Sequence, residues 1–381
     1  MRLNPRLAEL PGYPTVILDR RKAELLAAGR TVYDFGTGDP LEPTPAFIRA
    51  AMLASVPENC RYPTVLGEPG VRRAFATWAQ RRLGVTLDPD TQVLPTSGSK
   101  EACFHLPLLV IDPHAPDRGV VFPDPGYSVY YRGTVLAGGE PIPQRLDGDF
   151  VQRPWLLPDE VLRRTRLLWI NSPHNPSGAV MSRDDLRRTW ELCRSHDILL
   201  VSDECYLDVW FDEKPTSILE IATEGVVALY SLSKRSGMTG YRSGVVAGDP
   251  AWIRKFRELR TNPGVAPQDF VNAAAEVAWA DEAHAEARRL LFAEKRRILL
   301  DFLEANHFEV VGSSASFYLW VKAPAGYTGE SYALRLLDAG VLTNPGSFFA
   351  VTDAGDAWFR LALVPDLDGC RAAVEAWRTL L

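Results

Sequence analysis

Ile198-Leu199-Leu200-Val201-Ser202-Asp203 is a bare aliphatic run that ends on a hydroxyl and a carboxylate. A second run, Gly225-Val226-Val227-Ala228-Leu229-Tyr230, ends on Ser231-Leu232-Ser233-Lys234. Neither alternates polar with apolar residues, so neither can keep one face in water. Short strands that are apolar on both faces, with helices between them, signify a mainly parallel sheet sandwiched by helices. The same texture extends in both directions. Gln92 to Thr96, Gly119 to Phe122, Leu167 to Ile170 and Ser243 to Ala247 read as strands. Pro45–Val56, Val71–Leu83, Glu101–Val110 and Arg183–Ser195 carry apolar residues at helical spacing. From Asn272 onward the pattern changes to one long Ala/Glu/Arg helix, to about Asn306, followed by strands at Phe308–Val311, Ser316–Val321 and Trp358–Leu363. The expected architecture is therefore an α/β fold with a large, mainly parallel domain (41–271) and a smaller α+β domain (272–381). Residues 1–40 form an arm that joins the small domain. Pro5, Pro11 and Pro14 break this arm early, and Val16–Ala28 is its helix.

Composition narrows the function. The 381 residues are 46% hydrophobic and 24% charged, which excludes a disordered chain. A net charge of −6 argues against a nucleic-acid binder with a broadly basic surface. No stretch is apolar for long enough to span a membrane, and no secretory signal opens the chain, so a cytoplasmic protein is expected. Five dispersed cysteines and six dispersed histidines give no metal-binding spacing, so no metal is expected. Basic residues are 35 Arg and only 7 Lys, so each lysine in an odd setting can be weighed separately.

Ligands in such sheets sit in the crevice outside the carboxyl ends of the strands. Four of those ends carry chemistry. Lys234, among hydroxyls, glycines and the cations Arg235 and Arg242, is a candidate Schiff-base amine whose pKa those cations and burial would lower. Alone, it reads equally as a solvated loop lysine. Asp203 could hold a protonated heterocyclic nitrogen, as pyridoxal enzymes require, or simply cap a helix. Asn175, in Asn171-Ser172-Pro173-His174-Asn175-Pro176-Ser177-Gly178, exposes an amide on a fixed turn, although Asn-Pro turns are common. Ser97-Gly98-Ser99-Lys100 opens a helix after a strand and offers free backbone N–H groups to a phosphate. It is not a P-loop.

Taken in order, Asn-Pro-Ser-Gly at 175–178, Asp203 with Tyr206 three residues on, Ser-x-Ser-Lys at 231–234, Arg242 and a late Phe-Arg-Leu around Arg360 resemble the class I/II pyridoxal-phosphate aminotransferases of fold type I. Gly98 to Ala102, Ile111-Asp112-Pro113, Ser202 to Tyr206 and the segment Ser231–Gly248 are similar, more narrowly, to the N-succinyldiaminopimelate aminotransferases.

The resemblance implies roles. Lys234 would join pyridoxal 5′-phosphate as an imine and then carry the proton between substrate Cα and cofactor C4′. Asp203 would pair with the ring nitrogen, Tyr206 and Asn175 with the ring oxygen, and Tyr127 would stack on the ring. Gly98, Ser99, Lys100, Ser231 and Arg242 would hold the phosphate, and Ser233 would also contact the cofactor. Tyr62 would reach the phosphate of a neighbouring subunit, which implies a homodimer. Arg360 would clamp the substrate α-carboxylate, with Gly38 and Asn175 beside it. The substrates would be an amino acid and a 2-oxo acid, with N-succinyl-diaminopimelate and glutamate/2-oxoglutarate favoured, in lysine biosynthesis. An aspartate or broad-specificity aminotransferase would use the same residues, and so would a carbon–sulfur β-lyase. A pyridoxal-binding regulator would need a DNA-binding module for which the arm is too short, and a nicotinamide dehydrogenase would need a GxGxxG that is absent. Arg61 or Arg132 could meet a distal acidic group. The turn Asn344-Pro345-Gly346-Ser347-Phe348-Phe349 continues as Ala350-Val351-Thr352 where the family more usually has glycines, which bears on the substrate side-chain pocket.

Overall fold

The computed structural model describes residues 3–10 and 16–381, so the expected breaks at Pro11 and Pro14 lie outside the described residues. The strands are β1 (Tyr33–Asp34), β2 (Val93–Thr96), β3 (Gly119–Asp124), β4 (Glu140–Arg145), β5 (Thr165–Asn171), β6 (Leu199–Asp203), β7 (Val226–Ser231) and β8 (Gly244–Gly248). They continue with β9 (Val310–Val311), β10 (Tyr318–Lys322), β11 (Val341–Leu342), β12 (Asn344–Pro345) and β13 (Trp358–Ala362). Seven of them form the large sheet in the order β2-β8-β7-β6-β5-β3-β4. Only β8 runs against the rest, antiparallel to both β2 and β7.

Successive residues of the central strands feed two separate cores. Leu168, Ile170, Leu200, Ala228 and their kind pack under the helices Pro69–Leu83, Arg183–Ser195 and Asp269–Ala280. Leu167, Trp169, Leu199, Val201, Val227 and Leu229 pack under Ser99–His105, Val129–Ala137 and Pro250–Arg260. Burial on both faces is why these strands show no alternation. A second sheet, β12-β13-β10-β9, is antiparallel and shares its own core with the helices Ala283–Ala305 and Leu367–Arg378. Phe35, from the arm, lies in that core, and β1 pairs with β11.

Two departures from the sequence reading have clear causes. Strand β4, Glu-Pro-Ile-Pro-Gln-Arg, escaped notice because of its two prolines. It is an edge strand paired only with β3, and Glu140 N donates to Arg118 O at 2.8 Å while Leu146 N donates to Asp124 O at 2.8 Å. Even-numbered residues therefore face the partner, and Pro141 and Pro143 lack their N–H on the side with no ladder to serve.

The expected single helix from Asn272 is two, Asp269–Ala280 and Ala283–Ala305. Asp281 Oδ1 accepts from His284 N at 2.9 Å and starts the second helix. The buried Arg235 donates to Ala278 O at 2.7 Å and Asp281 O at 3.0 Å, closing the end of the first. The break moves residues 272–280 out of the expected small body, since Ala274, Ala275, Ala278 and Trp279 pack in the large core. We propose the division at Asp281.

Arg235 also pairs with Asp208 at 2.8 Å and Glu282 at 3.0 Å. Arg235→Ala leaves Asp208 with Arg82 and Glu282 with Arg81 but uncaps the helix-end carbonyls, and should lower the unfolding free energy in urea by about 1–3 kcal/mol. A loss under 1 kcal/mol would show that the break does not depend on this guanidinium.

Candidate functional site

Strands β5, β6 and β7 end side by side on Asn171, Asp203 and Ser231, with Asn171 in register with Asp203. Beyond them lies a cavity of about 650 Å³. Twelve of the residues singled out above line it: Gly38, Ser99, Lys100, Tyr127, Asn175, Asp203, Tyr206, Ser231, Ser233, Lys234, Arg242 and Arg360. Gly98 lies just behind, with φ of 79°, and a Cβ there would collide with the Arg242 guanidinium. Tyr62 is fully exposed and does not line the cavity within one chain.

One end of the cavity is cationic and rich in hydroxyls. Arg242, itself in the left-handed region at φ 56°, donates to Thr239 O at 3.0 Å and Ser97 O at 3.4 Å. Ser231 caps the short helix Leu232–Arg235 by accepting from Ser233 N at 3.2 Å. Thr239, which the sequence reading missed, lines this end too.

Asp203 supplies the opposite charge. No helix follows it, so the helix-cap alternative falls: its Oδ1 accepts from Cys205 N at 3.3 Å within a turn. Its Oδ2 receives Tyr130 Oη at 2.7 Å and Cys103 Sγ at 3.7 Å, and its carbonyl receives Asn171 Nδ2 at 2.8 Å. Tyr206 Oη meets Tyr318 Oη at 3.1 Å, and Tyr127 stands edge-on to Tyr130 with ring centroids 5.7 Å apart. Tyr130 and Tyr318 were missed because a tyrosine in an apolar run reads as core.

Lys234 and Arg360 meet at the segment 36–38. Lys234 Nζ donates to Gly38 O, and Arg360 Nη2 donates to Gly36 O at 2.9 Å. Arg360 Nη1 donates to Asn175 Oδ1 at 2.9 Å, while Nε is buried with no partner among the described residues. The guanidinium lies 4.1 Å from the Tyr318 ring centroid and 4.4 Å from that of Phe349.

Burial, the largest influence, lowers the Lys234 pKa from 10.5 to about 8; Asp39 and Cys205 oppose the shift, and Arg360 and Arg242 add to it. Arg235 is not among the leading influences, and its guanidinium pairs with Asp208 and Glu282 instead. The imidazole of His174 stays neutral, with burial pulling its pKa to about 4. Since Pro125 O can only accept, Nε2 donates to it at 3.1 Å, and Nδ1 accepts from Ser177 Oγ at 2.8 Å. That pair fixes the turn bearing Asn175.

Neither Arg61 nor Arg132 lines this cavity. The cation beside it is Lys22 of the arm helix Val16–Ala27, 2.6 Å from Asp34, and Asp19 lies one turn earlier on the same lining. The segment Ala350–Thr352 is not loose. Val351 N and Thr352 N donate to Asp124 at 2.8 and 3.2 Å, which holds Phe348 and Phe349 against the cavity.

A fold of this topology, with a buried amine and a buried guanidinium in one crevice at the strand ends, makes a site for a carboxylate-bearing ligand. The sequence profile of aminotransferase class I and II matches residues 30–376, and the chain belongs to that family, a pyridoxal-phosphate aminotransferase of fold type I. It is 34% identical over 384 residues to the LL-diaminopimelate aminotransferase of Aquifex aeolicus, covering 98% of each chain. It is 36% identical over 377 residues to that of Dehalococcoides mccartyi strain 195, covering 96% of each. Its structure superposes on an aminotransferase from Neisseria meningitidis with TM-score 0.92 at 33% identity, covering 99% of this chain and 100% of that one. A Thermus thermophilus aspartate aminotransferase variant gives TM-score 0.92 at 27% identity with both chains fully covered. The narrower similarity to N-succinyldiaminopimelate enzymes is not what these relatives bear out.

The residues present fit pyridoxal phosphate. A cavity cationic at one end and anionic at the other suits a molecule with a phosphate and a basic ring nitrogen. Gly98 leaves the helix start bare under Arg242, and the orphaned Arg360 Nε leaves a donor for a carboxylate. A Lys234 pKa near 8 has a consequence for the cofactor-free protein. Between pH 8 and 10.5 the folded amine is neutral while the unfolded one keeps its proton, so this residue's contribution to stability rises with pH. Urea unfolding at several pH values should show wild type gaining on Lys234→Met across that range, and cofactor capture should be half-maximal near pH 8. A midpoint near 10.5 would mean the amine is solvated.

Proposed function

We propose that this aminotransferase exchanges amino groups between LL-diaminopimelate and a 2-oxo acid in lysine biosynthesis, with glutamate/2-oxoglutarate as one pair, and works as a homodimer in the cytoplasm. The observation that carries the amino-acid site is the shared grip of Lys234 and Arg360 on residues 36–38. It sets a nucleophilic amine beside a carboxylate receptor.

Pyridoxal phosphate supplies an electrophilic carbonyl carbon and a ring that accepts the electron pair left when the substrate Cα–H bond breaks. In this reading Arg360 takes the α-carboxylate through its planar fork, helped by Asn175 and the Gly38 backbone. Lys234 Nζ would take the Cα proton and return it at C4′. Asp203 would keep the ring nitrogen protonated. Tyr206 and the Asn175 amide hydrogens would donate to the ring oxygen, and Tyr127 would cover the ring face. Ser99, Lys100, Ser231, Ser233, Arg242 and the Gly98 turn would hold the phosphate. The full exposure of Tyr62 supports a role at a second subunit's phosphate.

The substrate rests on two supports. Relatives along nearly the full length are named LL-diaminopimelate aminotransferases. The arm helix also puts Asp19 on the cavity lining, beside Lys22, whose ammonium is shared with Asp34 of the same lining. The far end of diaminopimelate is itself an ammonium and a carboxylate, whereas an N-succinyl group would bring no ammonium. Aspartate has no far ammonium either.

A half-reaction screen on the loaded enzyme checks this. LL-diaminopimelate and glutamate should bleach the cofactor band rapidly, with aspartate and N-succinyl-LL-diaminopimelate at least about ten-fold slower. Equal reaction with aspartate would defeat the substrate but not the transamination. Arg360→Lys should lower kcat/KM roughly a hundred-fold for every donor. Asp19→Asn should raise KM roughly two- to five-fold for diaminopimelate and leave glutamate unchanged. Tyr62→Phe should weaken cofactor binding about ten-fold, read by equilibrium dialysis, and sedimentation should give a dimer.

A further inference from the structure

We propose that Tyr130 is the positioning residue for the ring-nitrogen contact: by donating to one oxygen of Asp203, it holds that carboxylate ionised and turned so that the proton shared with the cofactor stays on the ring. The proposal rests on the reading that Asp203 meets the ring nitrogen.

Asp203 is 4% exposed at the end of β6, and no cation pairs with it among the described residues. With the cofactor bound, the proton between the ring nitrogen and this carboxylate can rest on either partner. If the carboxylate took the proton from the ring nitrogen, the pair would become neutral and the ring would lose its pull on electrons. Something must therefore favour the ionised carboxylate. Tyr130 Oη does so at 2.7 Å, a charge-assisted bond, with Cys103 Sγ as a weaker donor at 3.7 Å on the same Oδ2. Both donors occupy Oδ2, while Oδ1 receives the longer bond from Cys205 N at 3.3 Å, and the Cys205 thiol also hydrogen-bonds the carboxylate.

The phenol is built to donate and never to ionise. Tyr130 is fully buried, and burial first and then the Asp203 charge push its pKa well up. Its ring is clamped against Trp169, 4.7 Å between centroids at 18°, and Trp169 lies on β5 beside β6. Its own carbonyl is engaged by Thr134 Oγ1 at 2.7 Å. The hydroxyl is thus fixed from the same sheet that fixes Asp203, and it cannot follow the carboxylate if the latter rotates.

The test crosses the residue with the atom it is meant to act on. Wild type, Tyr130→Phe and Tyr130→His are each loaded with pyridoxal phosphate or with its 1-deaza analogue, which has carbon in place of the ring nitrogen. Cofactor affinity is read by tryptophan fluorescence quenching, and the half-reaction rate with glutamate by absorbance. With pyridoxal phosphate, Tyr130→Phe should slow the half-reaction roughly ten- to a hundred-fold, with the KM for glutamate changed less than about two-fold. Affinity for the natural cofactor should fall several-fold. With the deaza analogue, both numbers should match wild type. Tyr130→His, which keeps a ring N–H, should restore most of the loss, and it can be read alone if the Phe variant does not fold. An equal penalty with both cofactors makes Tyr130 a packing residue and overturns the proposal, as does a His variant no better than Asp203→Asn. Wild type showing no preference between the two cofactors overturns the Asp203 reading itself.

Discussion

Arg360 is the contact on which the active cleft depends. It sits on β13 of the small sheet, opposite Trp320 on one side and Asn344 on the other. From there it reaches Asn175 after β5 of the large sheet and Gly36 of the arm. Three separate parts of the chain converge on one buried guanidinium. Such a charge is costly to desolvate, and it is offset here by the bonds to Asn175 and Gly36 and by the two aromatic faces that cover it. Its remaining nitrogen, together with the cavity, is where a carboxylate would complete its surroundings.

The same device braces the floor of the cavity from below. Arg260, fully buried, holds both oxygens of Glu101 at 2.8 and 3.1 Å and the carbonyl of Pro95 at 2.9 Å. Glu101 in turn accepts from Ser97 N at 3.1 Å, so the turn carrying Gly98 and Ser99 rests on an ion pair rather than on solvent. Lys295 plays a similar part in the small body, where it pairs with Glu42 and caps the carbonyls of Leu363 and Val364, both at 3.3 Å. A chain with 35 arginines uses many of them to finish helix ends and loop carbonyls where a neutral side chain would leave polar groups orphaned.

A lysine can be reactive in this cleft without a special partner. The Lys234 pKa is lowered to about 8 chiefly by burial, which brings the neutral amine within reach of mildly alkaline pH. Asp203 is held by neutral donors, Tyr130, Cys103 and Cys205 N, and no cation pairs with it among the described residues. The two groups sit within one cleft with opposite requirements, and the sheet's adjacent strand ends let each have its own environment.

The sequence by itself determined the layered α/β scheme and the chemical identity of the cleft, because both are written locally. An apolar run without alternation requires burial on both faces, and a polar residue at its end is delivered to the crevice whatever the rest of the chain does. Hence Asp203, Ser231, Lys234 and Asn175 were placed at the crevice by their own neighbourhoods, while the roles expected of them came only from their joint order along the chain. Only the tertiary structure decided which charges act on them. Arg235 adjoins Lys234 in sequence yet turns away to close a helix, while Arg360 acts on it from another sheet. The break at Asp281, the pairing of proline-bearing β4 and the grip of Tyr130 on Asp203 were equally hidden. Each depends on groups far apart along the chain, and periodicity reports which face a residue takes but not which distant residue it meets there.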